Sequence, residues 1–167
     1  MSDMSSPQVC FRIAQADDLP QIIAMLSDDE IAREREAAAS AAIATAQLSA
    51  FETINNDPNH ELIVGAIDAE VIAVLQLSYL PGLTYNGGWR AQIEGVRVAR
   101  SQQAQGIGKL LIQHAMDLAR HRQCVLVQLT TDRRRDQALA FYARIGFAPS
   151  HVGMKLRLRD HRSGTQS

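Results

Sequence analysis

Cysteine is scarce in this chain: two residues, Cys10 and Cys124, among 167. Each lies inside an apolar segment with no other Cys and no His at metal-ligand spacing. Neither a disulfide framework nor a zinc site is indicated, no metal is expected, and both thiols are expected to be buried. Excess charge of one sign is also missing. Seventeen Lys and Arg stand against 18 Asp and Glu, a net charge of -1 at pH 7. That balance offers no broad field for nucleic acid, and "RRR" at 133–135 is only a local cluster. No apolar run approaches the roughly 20 residues that span a bilayer. The opening "MSDMSSPQVCFRIA" lacks a basic region followed by a long apolar one, so no signal peptide is read and a cytoplasmic location is expected, with no membrane or nucleic-acid partner. What is present is an ordinary globular composition, 46% hydrophobic and 21% charged. At this length a core forms without disulfides or metal, and one domain over 1–167 is expected.

Along the chain, "VCFRIA" at 9–14 alternates as a strand does, and "DDLPQIIAMLSDD" reads as a helix with Asp17 or Asp18 as its cap. A second, alanine-rich helix is expected from Glu34 to Asn55, ended by "NNDPN". The joint between them, "SDDEIARERE", carries Asp28, Asp29, Glu30, Glu34 and Glu36, either a solvated helix end or an acidic rim for an amine. "ELIVGAIDAEVIAVLQLSYL" has the pattern of a hairpin turning near Asp68, and "GWRAQIEGVRVA" supplies a third strand of a meander. Helical spacing from Ile107 to about His121, followed by "CVLVQLTT", adds a strand, turn, helix, strand unit. "DRRRDQALAFYARIGF" reads as a last helix capped by Asp132 and ended by Gly146, "HVGMKLRLRD" as a closing strand, and 160–167 as a disordered tail.

The chemistry concentrates at "RSQQAQGIGKLL", residues 100–111. A strand that runs into a helix N-terminus presents free N–H groups and a partial positive charge to an anion. A P-loop is excluded, because Gln103 and Leu110 stand where Gly and Ser or Thr are required; a dinucleotide fingerprint is excluded, because the third glycine position is Leu111. A third pattern fits: Gln103-Ala104-Gln105-Gly106-Ile107-Gly108 resembles the acyl-CoA loop of the GNAT superfamily of N-acetyltransferases, Gln or Arg, two residues, Gly, one residue, Gly or Ala. "ALAFYARIGF" is similar to a second motif of that family, with Tyr142, Gly146 and Phe147 in register, and the element order agrees from about Val9 to Leu158.

The resemblance implies a single-domain α/β fold: a mixed, mostly antiparallel sheet of about six to seven strands flanked by helices, with a βαβ acyl-CoA unit. It implies acetyl-CoA as cofactor and transfer of the acetyl group to an amine. Residues 103 to 109, through Lys109, would hold the pyrophosphate, with Gly106 and Gly108 leaving it room; the backbone of Val96 and Val98 would bond the pantetheine arm. Glu94 is the implied general base, on a strand face read as shared with Val96 and Val98 and not with Arg97. Tyr142 is the implied general acid toward the departing sulfur. Arg135 stands where many members have Asn, and an arginine there suits a phosphate of coenzyme A. Gln92, Trp89 and His151 are candidates for the acceptor site, His151 also as a second base. "RRRDQALAFYARIGFAPSH" is similar to the branch containing aminoalkylphosphonate N-acetyltransferases, which implies a small primary amine as acceptor. A protein amine, a non-catalytic acyl-CoA-binding role and a homodimer stay open.

Overall fold

In the computed structural model the described residues are 8–28, 41–156 and 158. The chain divides after Leu129 into two compact units. The first contains one five-stranded sheet in the order β1-β2-β3-β4-β5. Its strands are β1 (Cys10–Ile13), β2 (His60–Ile67), β3 (Glu70–Leu80), β4 (Arg90–Val98) and β5 (Leu126–Leu129). The first four pair antiparallel and β5 joins β4 in parallel, which requires a crossover. Helix α3 (Ile107–His121) supplies it. The β2–β3 turn forms where the alternation is broken by Asp68, held at φ +53.

Alternation gives the sheet two buried faces. On one, Leu62, Val64, Val71 and Val74 pack with Ala14, with Ile22 of α1 (Leu19–Ser27) and with Phe51 of α2 (Ala41–Asn56). On the other, Phe11 lies over Gly65, where an added Cβ would come within 2.9 Å of the ring. Phe11 also stacks on His114 of α3, centroids 5.3 Å apart. Leu111, Ile112 and Ala115 of α3 are fully buried, as periodicity over Ile107–His121 requires. Each such Leu or Ile contributes about 1.5–3 kcal/mol by leaving water. Among the described residues no helix is long and apolar enough to cross a membrane.

The N-terminal cap differs from the expectation. Asp18 precedes α1 but makes no side-chain bond into that helix. Its carboxylate instead accepts from Arg12 at 2.6 and 2.9 Å and from the Gln15 amide at 2.7 Å. Cys10 is exposed rather than buried, because it begins the edge strand; Cys124 is half-buried, and burial pushes its thiol up.

In the second unit, α4 (Asp136–Arg144) starts four residues later than its expected cap. Asp132 accepts from the Arg134 amide at 3.0 Å and holds a preceding turn. The helix ends as "RIGF" predicts. Gly146 takes φ +101, its amide donates to Ala143 at 3.1 Å, and the Phe147 amide donates to Tyr142 at 3.0 Å. These are the paired bonds of a Schellman cap.

Among the described residues the strands number five, fewer than the expected six to seven. Residues 152–156 of the expected closing strand are not in a ladder. Val152, Met154 and Leu156 are 72%, 92% and 86% exposed; alternation supplies a face for burial but no hydrogen-bonding partner. Residue 157 and the tail 160–167 lie outside the described residues. So do Asp29, Glu30, Glu34 and Glu36 of the acidic joint and the first part of the expected second helix. Asp28, which is described, pairs with Arg100 at 2.8 Å.

Candidate functional site

β4 leads into the glycine turn through Ala99, whose amide donates to Ile72 at 2.8 Å, and a short 3-10 turn at Arg100–Gln102. Two glutamines brace the turn. Gln103 Nε2 donates to the Val98 carbonyl at 3.1 Å and Gln105 Nε2 to the Ser101 carbonyl at 3.2 Å. Both therefore hold the loop to the strand end and to itself. Ala104 and Gly106 take φ +62 and +83. The first ladder bond of α3 runs from the Leu110 amide to the Gly106 carbonyl at 3.1 Å, and no side chain caps the helix. The amides of Ile107, Gly108 and Lys109 thus precede the ladder at the positive end of a 15-residue helix.

The two glycines have different causes. Gly106 needs glycine for its positive φ, and nothing lies within 4 Å of where a Cβ would stand. Gly108 is the second residue of α3, with ordinary helical backbone that any residue adopts. Its glycine is therefore not required by the backbone conformation.

A bulge in β4 sets the rest of the site. Val74 pairs with Arg97 and Gln76 with Glu94, so Gly95 and Val96 together oppose Leu75. Gly95, at φ +62, allows the extra residue. The bulge reverses the alternation beyond Glu94. Glu94 therefore shares its face with Arg97 and not with Val98, contrary to unbroken period two. That face is the one bearing Val74, α1 and α2. Glu94 is exposed, and no other described residue bonds or pairs with its carboxylate.

Along the same face the register places Arg90, Gln92 and Glu94 of β4 beside Leu80, Ser78 and Gln76 of β3. Gln92 faces Gln128 of β5, whose Nε2 donates to Gln92 Oε1 at 2.7 Å. Ser78, 4% exposed, meets His60 Nδ1 at 2.8 Å. A polar row thus crosses four strands. Its members Gln76, Ser78 and Gln128 were missed in the sequence, where the only signal was polar residues at alternate positions or singly within the apolar runs "VLQLS" and "VLVQL".

The β4–β5 ladder stops at Ile93 opposite Leu129, although β4 continues to Val98. Among the described residues of the first unit, the β5-side edge of β4 from Glu94 onward has no strand partner. Two carbonyls of this stretch already take side chains: Val96 from Arg97 Nη1 at 2.8 Å, and Val98 from Gln103. Each can accept once more. Trp89, just before β4, is 38% exposed and its carbonyl takes the Val125 amide at 2.8 Å.

In the second unit, Tyr142 is half-buried with Phe141 and Phe147 edge-on, centroids 5.2 and 5.8 Å away. It is the residue three from the helix end that a Schellman cap packs against Phe147. Arg135 sits at the N-terminus of α4, and His151 is exposed, with Nδ1 2.8 Å from Ser150 Oγ. Arg134 pairs with Asp132 at 3.2 Å.

These features define an α/β domain in which a meander strand, bulged against one neighbour and left by the other after Ile93, runs into a helix N-terminus with three amides outside the ladder. The chain belongs to the acetyltransferase (GNAT) family, whose model matches residues 22–147. It is similar to the solved structure of a transcriptional regulator from Bacillus halodurans C-125: 43% identity over 90% of this chain and 99% of that one, TM-score 0.85. Glucosamine-6-phosphate N-acetyltransferase from Arabidopsis thaliana shares the fold at 17% identity, covering 91% and 99% of the two chains, TM-score 0.73. So does ribosomal-protein-alanine N-acetyltransferase from Brucella melitensis biovar Abortus 2308, at 18% identity, 91% and 100% coverage and TM-score 0.70.

Proposed function

We propose that this chain is an acetyl-CoA dependent N-acetyltransferase acting on the primary amine of a small molecule. The observation that carries the reading is Gly108: a glycine at an ordinary helical position, beside three backbone amides outside the ladder. A diphosphate fits that place, and a strand-like pantetheine arm fits the β4 edge that β5 leaves open.

Bound there, acetyl-CoA would supply an acetyl thioester within reach of an amine. Transfer breaks the C–S bond and forms a C–N bond, the amine loses one proton and the sulfur gains one. Glu94, exposed and unengaged on the acceptor-side face, takes the amine's proton through a water. Its carboxylate also favours an approaching ammonium. The Tyr142 phenol gives the proton to the sulfur. Gln92, oriented by Gln128, lines the acceptor site, and Arg135 takes a phosphate of the cofactor. Both the small amine and the cytoplasmic location rest on composition and on the likeness of 133–151 to the aminoalkylphosphonate branch; one neighbour of the fold acts on glucosamine-6-phosphate.

One observation favours a second reading. The 43% identical relative is described as a transcriptional regulator, which suits an acyl-CoA-binding domain that does not turn over. Calorimetric titration with acetyl-CoA and dephospho-CoA, followed by free-thiol release over a panel of amines, tests both. Binding with thiol release for at least one amine supports the transferase. Binding with none supports the second reading, and no binding overturns both.

A further inference from the structure

Arg90 is a charged residue of the polar row to which the transfer gives no role. It starts β4, opposite Leu80 and Leu126, on the face that carries Gln92 and Glu94. The side chain is half-buried, its Nε is sealed from solvent, and that atom has no hydrogen-bond partner among the described residues. One Nη lies 3.9 Å from where a Cβ of Gly82 would stand, so the head rests against the glycine of the loop after β3. No ion pair to Arg90 occurs among the described residues. A guanidinium taken partly out of water without an anion is costly, and five donors in a planar fork match a carboxylate or phosphate.

Resting on the transferase reading above, we infer that Arg90 is a specificity-determining residue that takes the anionic far end of the acceptor. The ligand class is set by the strand. Residues 90 and 94 are four apart on one face, about 13 Å between Cα atoms at strand rise. The guanidinium also lies toward Gly82, beyond the β3 end and away from Glu94. An acceptor whose amine meets Glu94 while its anion meets Arg90 must separate the two charges by about 10 Å, given the reach of the side chains. A two- or three-carbon amino acid is too short. A long ω-amino acid or ω-aminoalkyl phosphate is not, and its stem would lie along Gln92.

The test compares 8-aminooctanoate, 8-aminooctyl phosphate, octylamine and 3-aminopropanoate as acceptors, with wild type, Arg90→Ala and Arg90→Lys. In wild type, kcat/KM for the two long anionic amines should exceed that for octylamine by about 10-fold to 100-fold, through KM, with no such gain for 3-aminopropanoate. Arg90→Ala should abolish the ratio and Arg90→Lys restore part of it. A preference for the phosphate alone or the carboxylate alone names the source of the anion, and either supports the proposal. Equal kcat/KM for octylamine and both anions in wild type, or a ratio that survives Arg90→Ala, overturns it. Direct titration of 8-aminooctanoate without cofactor keeps the two readings apart. Binding that Arg90→Ala weakens about 10-fold or more supports the anion site even where thiol release fails. Absent binding beside normal acetyl-CoA turnover overturns the anion site alone.

Discussion

Gly106 and Gly108 lie one residue apart and should fail in different ways when replaced. Ala at 106 meets the left-handed φ of +83 and should lower folding stability by about 1–2 kcal/mol, cofactor present or absent. Val at 108 has an allowed backbone and a better helix former than glycine, so denaturant unfolding should change by less than about 1 kcal/mol. Its acetyl-CoA affinity should fall by at least about 100-fold, because a branched side chain beside the three amides would compete with the proposed diphosphate. Unimpaired affinity in Gly108→Val would refute the diphosphate site. Glu94→Gln should remove the acidic limb of the pH–rate profile of kcat/KM, and a profile unchanged by the substitution would take the base role from Glu94. The position of Glu94 on the strand entering the turn was legible in the sequence, but its neighbours on that face were not. Period two put Arg97 on the other face, and only the isolated Gly95 hinted at the bulge that brings it back.

At the level of elements, the contact that joins β1 to the start of α1 is the pair Arg12–Asp18, 2.6 Å apart with Asp18 buried. The hydrogen bonds from Arg12 hold the Asp18 carboxyl below the usual carboxylate range, against the opposing effect of burial. A depressed folded value means the contribution is complete above the unfolded pKa of about 3.9 and is lost as pH falls through the lower folded one. Asp18→Asn should therefore cost about 1–3 kcal/mol at pH 7, and the gap to wild type should narrow as urea unfolding is repeated below about pH 4. A gap of the same size at pH 3 would refute the ion pair as its source. "DDLP" announced a helix start, and the partner was hidden because Arg12 is distant in pattern though near in space. The last helix was read more fully: Gly146 and Phe147 form the cap that "RIGF" suggests. That cap also explains why an aromatic belongs at 142, independent of catalysis. Tyr142→Phe keeps the ring against Phe147 and removes only the hydroxyl. It should lower kcat by about 10-fold to 1000-fold while coenzyme A affinity stays unchanged, and an undiminished kcat would take Tyr142 out of the proton transfer.

Over the whole molecule, the strands with strong alternation or unbroken apolar runs, β2, β3 and β4, and the strongly amphipathic α3 were legible because each carries its pattern within itself. The closing strand was not, because a strand needs a partner and its alternation names none. The segment at 152–156 leaves three large apolar side chains in solvent. The proposed cofactor site is built by elements that contribute most to the core: β4 is buried at Ala91 and Ile93, and α3 at Leu111, Ile112 and Ala115. A ligand held between them binds the folded chain and has no counterpart site in the unfolded one, so occupancy should appear as global stability. Acetyl-CoA at 100 times its Kd adds about 2.7 kcal/mol to the unfolding free energy. For a chain of this size that is a rise in Tm of about 5–10 °C. Dephospho-CoA at the same concentration should raise Tm less if Arg133, Arg134 or Arg135 reaches the 3'-phosphate, and equally if the turn at 103–109 carries all of the affinity. Coenzyme A that leaves Tm unmoved at millimolar concentration would overturn the site, since a ligand seated between β4 and α3 must stabilise both.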